Sequence, residues 1–221
     1  MITVHHLEHS RSHRVLWLLE ELGAPYTLKR YPRDPQTLLA PDELKAVHPL
    51  GKSPVIEDGE QVVAESAAIL EYLLDTHGDG RLRPAPGTPE YLRYRYWLHY
   101  AEGSAMPPLL LKLVFDRVAS APMPFFVRPI ARAIAAKANQ AFIGPQLRLH
   151  LDYLEAELDK TQWFVGDSFS AADIQLSYPI EAAATRAGLD ESRPRLMSYL
   201  QRIRARPAYQ RAVERGGSPV P

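Results

Sequence analysis

Apolar residues recur along this chain with two different periods, and the change from one to the other divides it. In the first third the runs are short. Residues 2–7, ITVHHL, form a β-rich stretch. After the polar turn EHSRS comes VLWLLEELG, apolar at Val15, Leu16, Leu18, Leu19 and Leu22 and stopped by Gly23-Ala24-Pro25. That pattern predicts an amphipathic helix with a glycine exit. Tyr26 to Tyr31 alternates apolar with polar or basic residues and reads as a strand. RDPQTLLAPDELKAV reads as a loop followed by one short helix, ended by His48-Pro49. Val55-Ile56 and Val62-Val63-Ala64 are two short strands about a hairpin signalled by Asp58-Gly59, and AAILEYLL returns to helical spacing.

Strand, helix, strand, helix, hairpin, helix is thus the order as far as His77, and its βαβ opening implies a parallel pair of strands. GDGRLRPAPGTPE then carries three prolines and three glycines in thirteen residues, which marks a linker. Beyond it the period is helical almost throughout. Long helices are expected over 90–118, about 125–160, 171–187 and 194–204, with a short one after Pro207 and a proline-rich break at APMPFF. Strands first and helices afterwards predict an α/β domain over 1–78, a linker over 79–89 and an all-helical domain over 90–221. In the helical part, Ser170 followed three residues later by Asp173 is a variant of the capping box.

Composition narrows the function classes. The 26 basic residues balance 26 acidic ones, so neither nucleic acid nor an anionic membrane is expected as partner. With no cysteine, the chain supplies no disulfide, thiolate metal site or cysteine nucleophile. The opening ITVHHL is no export signal, and no run approaches ~18 uninterrupted apolar residues. A soluble, cytoplasmic protein is expected.

The candidate chemistry gathers in GKSPVIEDGEQVVAES, residues 51–66. Pro54 has no N–H for a ladder and belongs at the head of a strand, in a turn where a cis bond is plausible. Ser66 stands before the helical run as a candidate cap, and free N–H groups there with the helix dipole form a socket for an anion. Read from spacing alone, this is a hairpin followed by a capped helix. His5, His6, His9 and His13 invite a metal reading, but no acidic third ligand stands at a recognisable spacing, and adjacent strand residues face opposite ways. No metal is expected.

With HPLGKSP before it, this segment resembles the glutathione-binding segment of the cytosolic glutathione transferases, in which N-P-x-G-K-V-P leads into a hairpin and then E-S at a helix start. His48 replaces the usual Asn, and Ser53 the usual Val. DSFSAADIQL is similar to the buried capping motif of that family's helical domain. The resemblance implies a thioredoxin-like α/β domain followed by an all-α helical bundle, working as a homodimer with glutathione as co-substrate and a small electrophile or a peroxide as its partner. It implies that Ser66 and Glu65 receive the γ-glutamyl end, that the Ser53 backbone, held by Pro54, pairs with the cysteinyl part, and that Lys52 reaches the glycyl carboxylate. A hydroxyl before the first helix would activate the thiol. Ser10 lies closest to the active serine of serine-type members, Ser12 reads better as a helix N-cap, His9 is an alternative, and Arg11 adds positive charge. Tyr91, Tyr94, Tyr96, Trp97 and Tyr100 crowd one helix, where most are expected to be core or interface; with Met106, Leu110 and Phe115 they are also candidate walls of an apolar substrate pocket. The same fold also serves as a non-catalytic binding or assembly module. The absence of cysteine argues against the disulfide-exchanging branch.

Overall fold

The computed structural model describes residues 1–37 and 39–220. Leu38, in the loop expected before the short second helix, and Pro221 lie outside the described residues. The α/β part runs β1 (Ile2–Leu7), α1 (His13–Leu22), β2 (Tyr26–Tyr31), α2 (Glu43–Val47), β3 (Val55–Asp58), β4 (Gln61–Ala64) and α3 (Ser66–His77). Its sheet has the order β2-β1-β3-β4; β1 and β2 are parallel, and β1–β3 and β3–β4 antiparallel. This is the expected thioredoxin-like arrangement, with β1 central and buried and β2 at an edge, where its alternation leaves Thr27, Arg30 and Lys29 accessible. The hairpin loop is Gly59-Glu60, one residue later than the Asp58-Gly59 signal, because Asp58 pairs with Gln61 and the loop puts Gly59 at φ 61°.

The helical part comprises α4 (Pro89–Tyr100), α5 (Met106–Ser120), α6 (Arg128–Ala138), α7 (Gly144–Lys160), α8 (Ala171–Arg186), α9 (Pro194–Arg204) and α10 (Pro207–Gly216). The two longest expected helices are each divided by a π-helical turn, Ala101–Ala105 between α4 and α5 and Asn139–Ile143 between α6 and α7. Each turn runs into proline: Pro107-Pro108 at the start of α5, Pro145 at the start of α7. A proline ring has no N–H to donate and crowds the carbonyl four residues back, and a wider turn makes room for it.

Two helices hold the halves together. α8 is buried on every side from Ala171 to Ala183, as expected of a helix at the centre of a bundle. Contrary to the amphipathic reading, α1 is also buried nearly all round, from His13 to Leu19 and again at Leu22. One face lies against the sheet and α3, the other against α8 and α10. Its two acids stay at the rim, Glu20 with Arg211 and Arg215 and Glu21 with Arg206, so α10 is clasped to α1 by charge as well as by Tyr209 against Trp17. The linker is pinned to both halves through adjacent residues near its start: Arg81 donates to the Leu22 carbonyl, and the Leu82 carbonyl accepts from the Ala171 N–H.

Candidate active site

A cavity of about 230 Å³ opens at the N-terminus of α3. Six of the eight residues singled out from the sequence line it: Arg11, Lys52, Ser53, Pro54, Glu65 and Ser66, together with His48, Leu50, Ala64 and Glu102. A larger cleft of about 770 Å³ lies elsewhere, between the linker and the turn before α8. Its cations are already paired, Arg83 with Asp75 and both Arg93 and Lys160 with Glu157. The smaller cavity is the one with convergent polar groups.

The turn that enters it is fastened to the sheet. The Ser53 hydroxyl accepts from the Leu7 N–H at 3.2 Å and donates to the His5 carbonyl at 2.8 Å, and the Ser53–Pro54 bond is cis, as the turn suggested. Ser53 therefore spends its side chain on β1. At the other wall, Glu65 is the residue before α3, with φ 72°, a left-handed conformation that costs a side-chain-bearing residue of order 1–3 kcal/mol. Ser66 is the first helical residue rather than the cap, a correction of one position, and its hydroxyl makes no capping bond. The first helical bond there is Ile69 N–H to the Glu65 carbonyl, so the N–H groups before it have no partner within the helix.

Behind Ser66 stands a half-buried ion cluster. Arg14, with no exposed side-chain surface, donates to the Ser66 hydroxyl at 2.9 Å, to the Gln175 carbonyl at 2.8 Å and to the Glu102 carboxylate. Glu102 also accepts from Arg11 Nε at 2.9 and 3.0 Å, and both guanidiniums lie 5.5 Å from the centre of the Tyr178 ring. Burial works to raise the Glu102 carboxyl, but Arg14 and then Arg11 outweigh it and hold it below its ordinary range. Burial likewise lowers the Arg14 guanidinium against the pull of Glu102. A hydroxyl has one proton to give. Because Ser66 accepts from Arg14, its own proton is left for whatever occupies the cavity.

Ser10 and Ser12 are placed differently from the readings given to them. Ser12 immediately precedes α1 but does not cap it; its hydroxyl turns back to β1, 2.8 Å from His6 Nδ1 and 2.7 Å from the Ser10 hydroxyl. The competing partner on β1 won over the helix N–H groups. Ser10 is buried one residue before Arg11 and is not among the cavity-lining residues; its oxygen also accepts from the Ser12 N–H. His9 faces the chain's last residues, at 3.2 Å from the Ser218 carbonyl. His5 and His6 point to opposite faces, His5 to Tyr31 and Glu57, His6 to Gly216. His13 is buried against the Tyr209 ring, and burial, then His6 and Arg14, push it down to about 3, so it stays neutral. Among the described residues no cluster of three His, Cys, Asp or Glu side chains could hold a metal.

Comparison with known proteins gives the family. Residues 10–76 match the glutathione S-transferase N-terminal domain family and residues 118–207 the C-terminal domain family. Glutathione S-transferase 1 of Saccharomyces cerevisiae is 34% identical over 97% of this chain and 95% of its own length. The chain belongs to the glutathione S-transferase family. Glutathione S-transferase 3 of Schizosaccharomyces pombe is likewise 34% identical, over 97% of this chain and 88% of its own. The crystal structure of a glutathione S-transferase from Actinobacillus pleuropneumoniae superposes with a TM-score of 0.79 at 35% identity, covering 98% of this chain and 93% of that one.

Two features of this glutathione S-transferase fold escaped the sequence reading. Glu102 sits in the π-helical turn, about ninety residues from Arg11 and Arg14, with no motif around it. Arg14 did carry a signal, a lone cation heading an otherwise apolar helix face. Of the aromatic cluster on α4, Tyr94 and Trp97 are fully buried core, the role expected of most of it, and none of the eight candidate wall residues lines the α3 cavity. Tyr96 and Leu110 are the most exposed of them.

Proposed function

We propose that this protein is a glutathione transferase that binds glutathione in the α3 cavity and presents its thiol, as thiolate, to an apolar electrophile or a peroxide. The reading rests chiefly on one constellation, the anion socket at the α3 N-terminus, where Ser66 has a free proton and Arg14 stands behind it. Glutathione carries two carboxylates, an ammonium and a thiol. The γ-glutamyl carboxylate goes to Ser66 and the α3 N–H groups, its ammonium to Glu65, the cysteinyl backbone to Ser53 beside Pro54, and the glycyl carboxylate to Lys52. Counting Arg14, three cations stand against the two carboxylates Glu65 and Glu102, an excess that suits an anionic tripeptide. Ser10, next to Arg11 and just before the N-terminus of α1, is the hydroxyl assigned to the sulfur, since a free thiol with pKa near ~8.5 needs help to ionise at neutral pH.

The subunit divides into the 1–78 and 90–221 domains across the 79–89 linker and works in the cytoplasm as a homodimer. Exposed apolar residues along α5 and α6, among them Leu110, Val114, Ile130 and Ile134, favour association. No helix among the described residues is long and apolar enough to cross a membrane.

Calorimetric titration with glutathione tests the socket. Losing one hydrogen bond to a charged group is worth about 1.5–3 kcal/mol, so Ser66→Ala should bind roughly ten- to hundredfold more weakly while remaining folded. Unchanged affinity in a folded variant would remove Ser66 from the site. Turnover of an activated aryl chloride, or of a hydroperoxide, decides between transfer and peroxide reduction.

A further inference from the structure

The hydroxyl assigned to the sulfur is the outer end of a buried chain of hydrogen bonds. Ser10 Oγ lies 2.7 Å from Ser12 Oγ, Ser12 Oγ lies 2.8 Å from His6 Nδ1, and His6 Nε2 lies 2.8 Å from the Gly216 carbonyl. All three side chains are buried, His6 and Ser12 almost completely. A carbonyl only accepts, so His6 Nε2 carries a hydrogen. Burial pulls the imidazole below its ordinary range, the Gly216 carbonyl working against that, and keeps it neutral in the resting protein. Nδ1 is therefore a bare acceptor. Ser12 turns its one proton to Nδ1 at 2.8 Å in preference to the Leu7 carbonyl, its other acceptor, at 3.3 Å; Ser10 gives its one proton to Ser12, and Ser10 Oγ keeps a lone pair for an incoming donor.

This order of donors does not suit a thiolate, which needs Ser10 to donate outward. If Ser10 turned its proton to the sulfur, Ser12 would have to supply Ser10, and Nδ1 would then face the Ser12 oxygen without a hydrogen between them. One proton added at Nδ1 repairs the whole chain.

We propose that Ser12 and His6 are positioning residues that form a proton relay behind Ser10, so that the glutathione thiol proton is held at His6 Nδ1 while the thiolate waits for its electrophile. The proposal rests on the assignment of Ser10 to the sulfur made above. In the step, the S–H bond breaks and its proton passes to Ser10 Oγ; the Ser10 proton passes to Ser12 Oγ, and the Ser12 proton to Nδ1. Thiolate and imidazolium result, and every hydrogen bond between the sulfur and Nδ1 reverses, while Nε2 goes on donating to the Gly216 carbonyl. When the sulfur has bonded to the electrophile, the proton returns by the same two hydroxyls to the leaving group or to water.

The surroundings of His6 are built for contact with its inner end. Gly216 is the last residue of α10, whose C-terminal dipole favours a cation. A Cβ there would come within 2.5 Å of Leu16 Cδ1 and 3.2 Å of His6 Nε2, so only glycine lets the carbonyl approach. Glu8, from the turn after β1, favours the imidazolium, while Arg30 on β2 and His9 in that turn oppose it; His13 on α1 is neutral and adds no charge. The balance holds the proton loosely enough to be returned.

The test is the titration of the bound thiol, followed by thiolate ultraviolet absorbance against pH in the full-length protein saturated with glutathione. Ser10→Ala, Ser12→Ala and His6→Asn should each raise the thiol pKa by about one unit or more, with glutathione affinity within about threefold of wild type. Ser12→Thr, which keeps a hydroxyl, should restore the wild-type titration. A role in folding alone would lower the melting temperature of Ser12→Ala and leave the titration in place. If Ser10→Ala moves the titration and a folded Ser12→Ala does not, the relay is wrong and the Ser10 assignment stands. If Ser10→Ala does not move it either, both fall. Should His6→Asn fail to fold, the Ser12 pair decides alone.

Discussion

Glu102→Ala should destabilise the protein by about 3–5 kcal/mol, the cost of leaving a buried charge without its partner. Arg14 has no exposed side-chain surface, and its remaining contacts are neutral, the Ser66 hydroxyl and the Gln175 and Arg11 carbonyls. Water from the cavity that Glu102 lines replaces only part of the lost carboxylate. Because the penalty belongs to the orphaned guanidinium, removing Arg14 as well should recover part of it. A double-mutant cycle with Arg14→Met, read by chemical denaturation, therefore predicts strong non-additivity. If the two single losses simply add, the pair is not coupled as described. Glutathione affinity should fall in both single variants, since Arg14 sets which way the Ser66 proton points.

The second large effect lies in the turn that opens α8. Asp173 Oδ1 accepts from the Phe164 N–H at 3.0 Å, and Oδ2 accepts from the Ser170 N–H at 2.9 Å and the Ser170 hydroxyl at 3.1 Å. Asp173→Ala strands two buried N–H groups, each costing about 1–3 kcal/mol, so a loss of roughly 2–5 kcal/mol is expected. Its pH dependence has an unusual sign. Full burial outweighs the hydrogen bonds and pushes the carboxyl up to about 6 from 3.8. The folded state thus binds this proton more tightly than the unfolded one, so the group's contribution is complete below about pH 4 and is lost as pH rises through 6. The gap between wild type and Asp173→Ala should be wider at pH 4.5 than at pH 8, by about 2 kcal/mol. A gap that widens toward alkaline pH would show that the carboxylate, rather than the acid, is the form the fold prefers.

Much of the architecture was legible because it depends on local pattern. The change from short alternating runs to helical period after residue 78 marks the passage from sheet to bundle, and Ser170 with Asp173 marks the start of α8. What could not be read depends on contacts between distant segments. The hydrophobic pattern of α1 shows one apolar stripe, yet α8 and α10 cover its second face, a fact recorded only in their own sequences. The π-helical turns are five residues each, too short to break a helical reading; their trace is the prolines Pro107, Pro108 and Pro145, which read locally as ordinary helix starts. Ser12 and Ser66 show the limit most plainly. A serine before an apolar run has the composition of an N-cap, but its hydroxyl takes the best partner within reach. For Ser12 that partner is His6 on β1, and for Ser66 it is Arg14 on α1. The six nominated residues that line the cavity lie within residues 10–66 and came from motif and turn chemistry, whereas Glu102, which lines it from another helix and in no motif, was not nominated.

The most direct test of the account is a crystal structure with glutathione bound. It should place the γ-glutamyl carboxylate on Ser66 and the α3 N–H groups, the cysteinyl backbone against Ser53 beside Pro54, and the sulfur within hydrogen-bond reach of Ser10 Oγ. Glutathione bound outside the α3 cavity, or bound there with its sulfur turned away from Ser10, would contradict it.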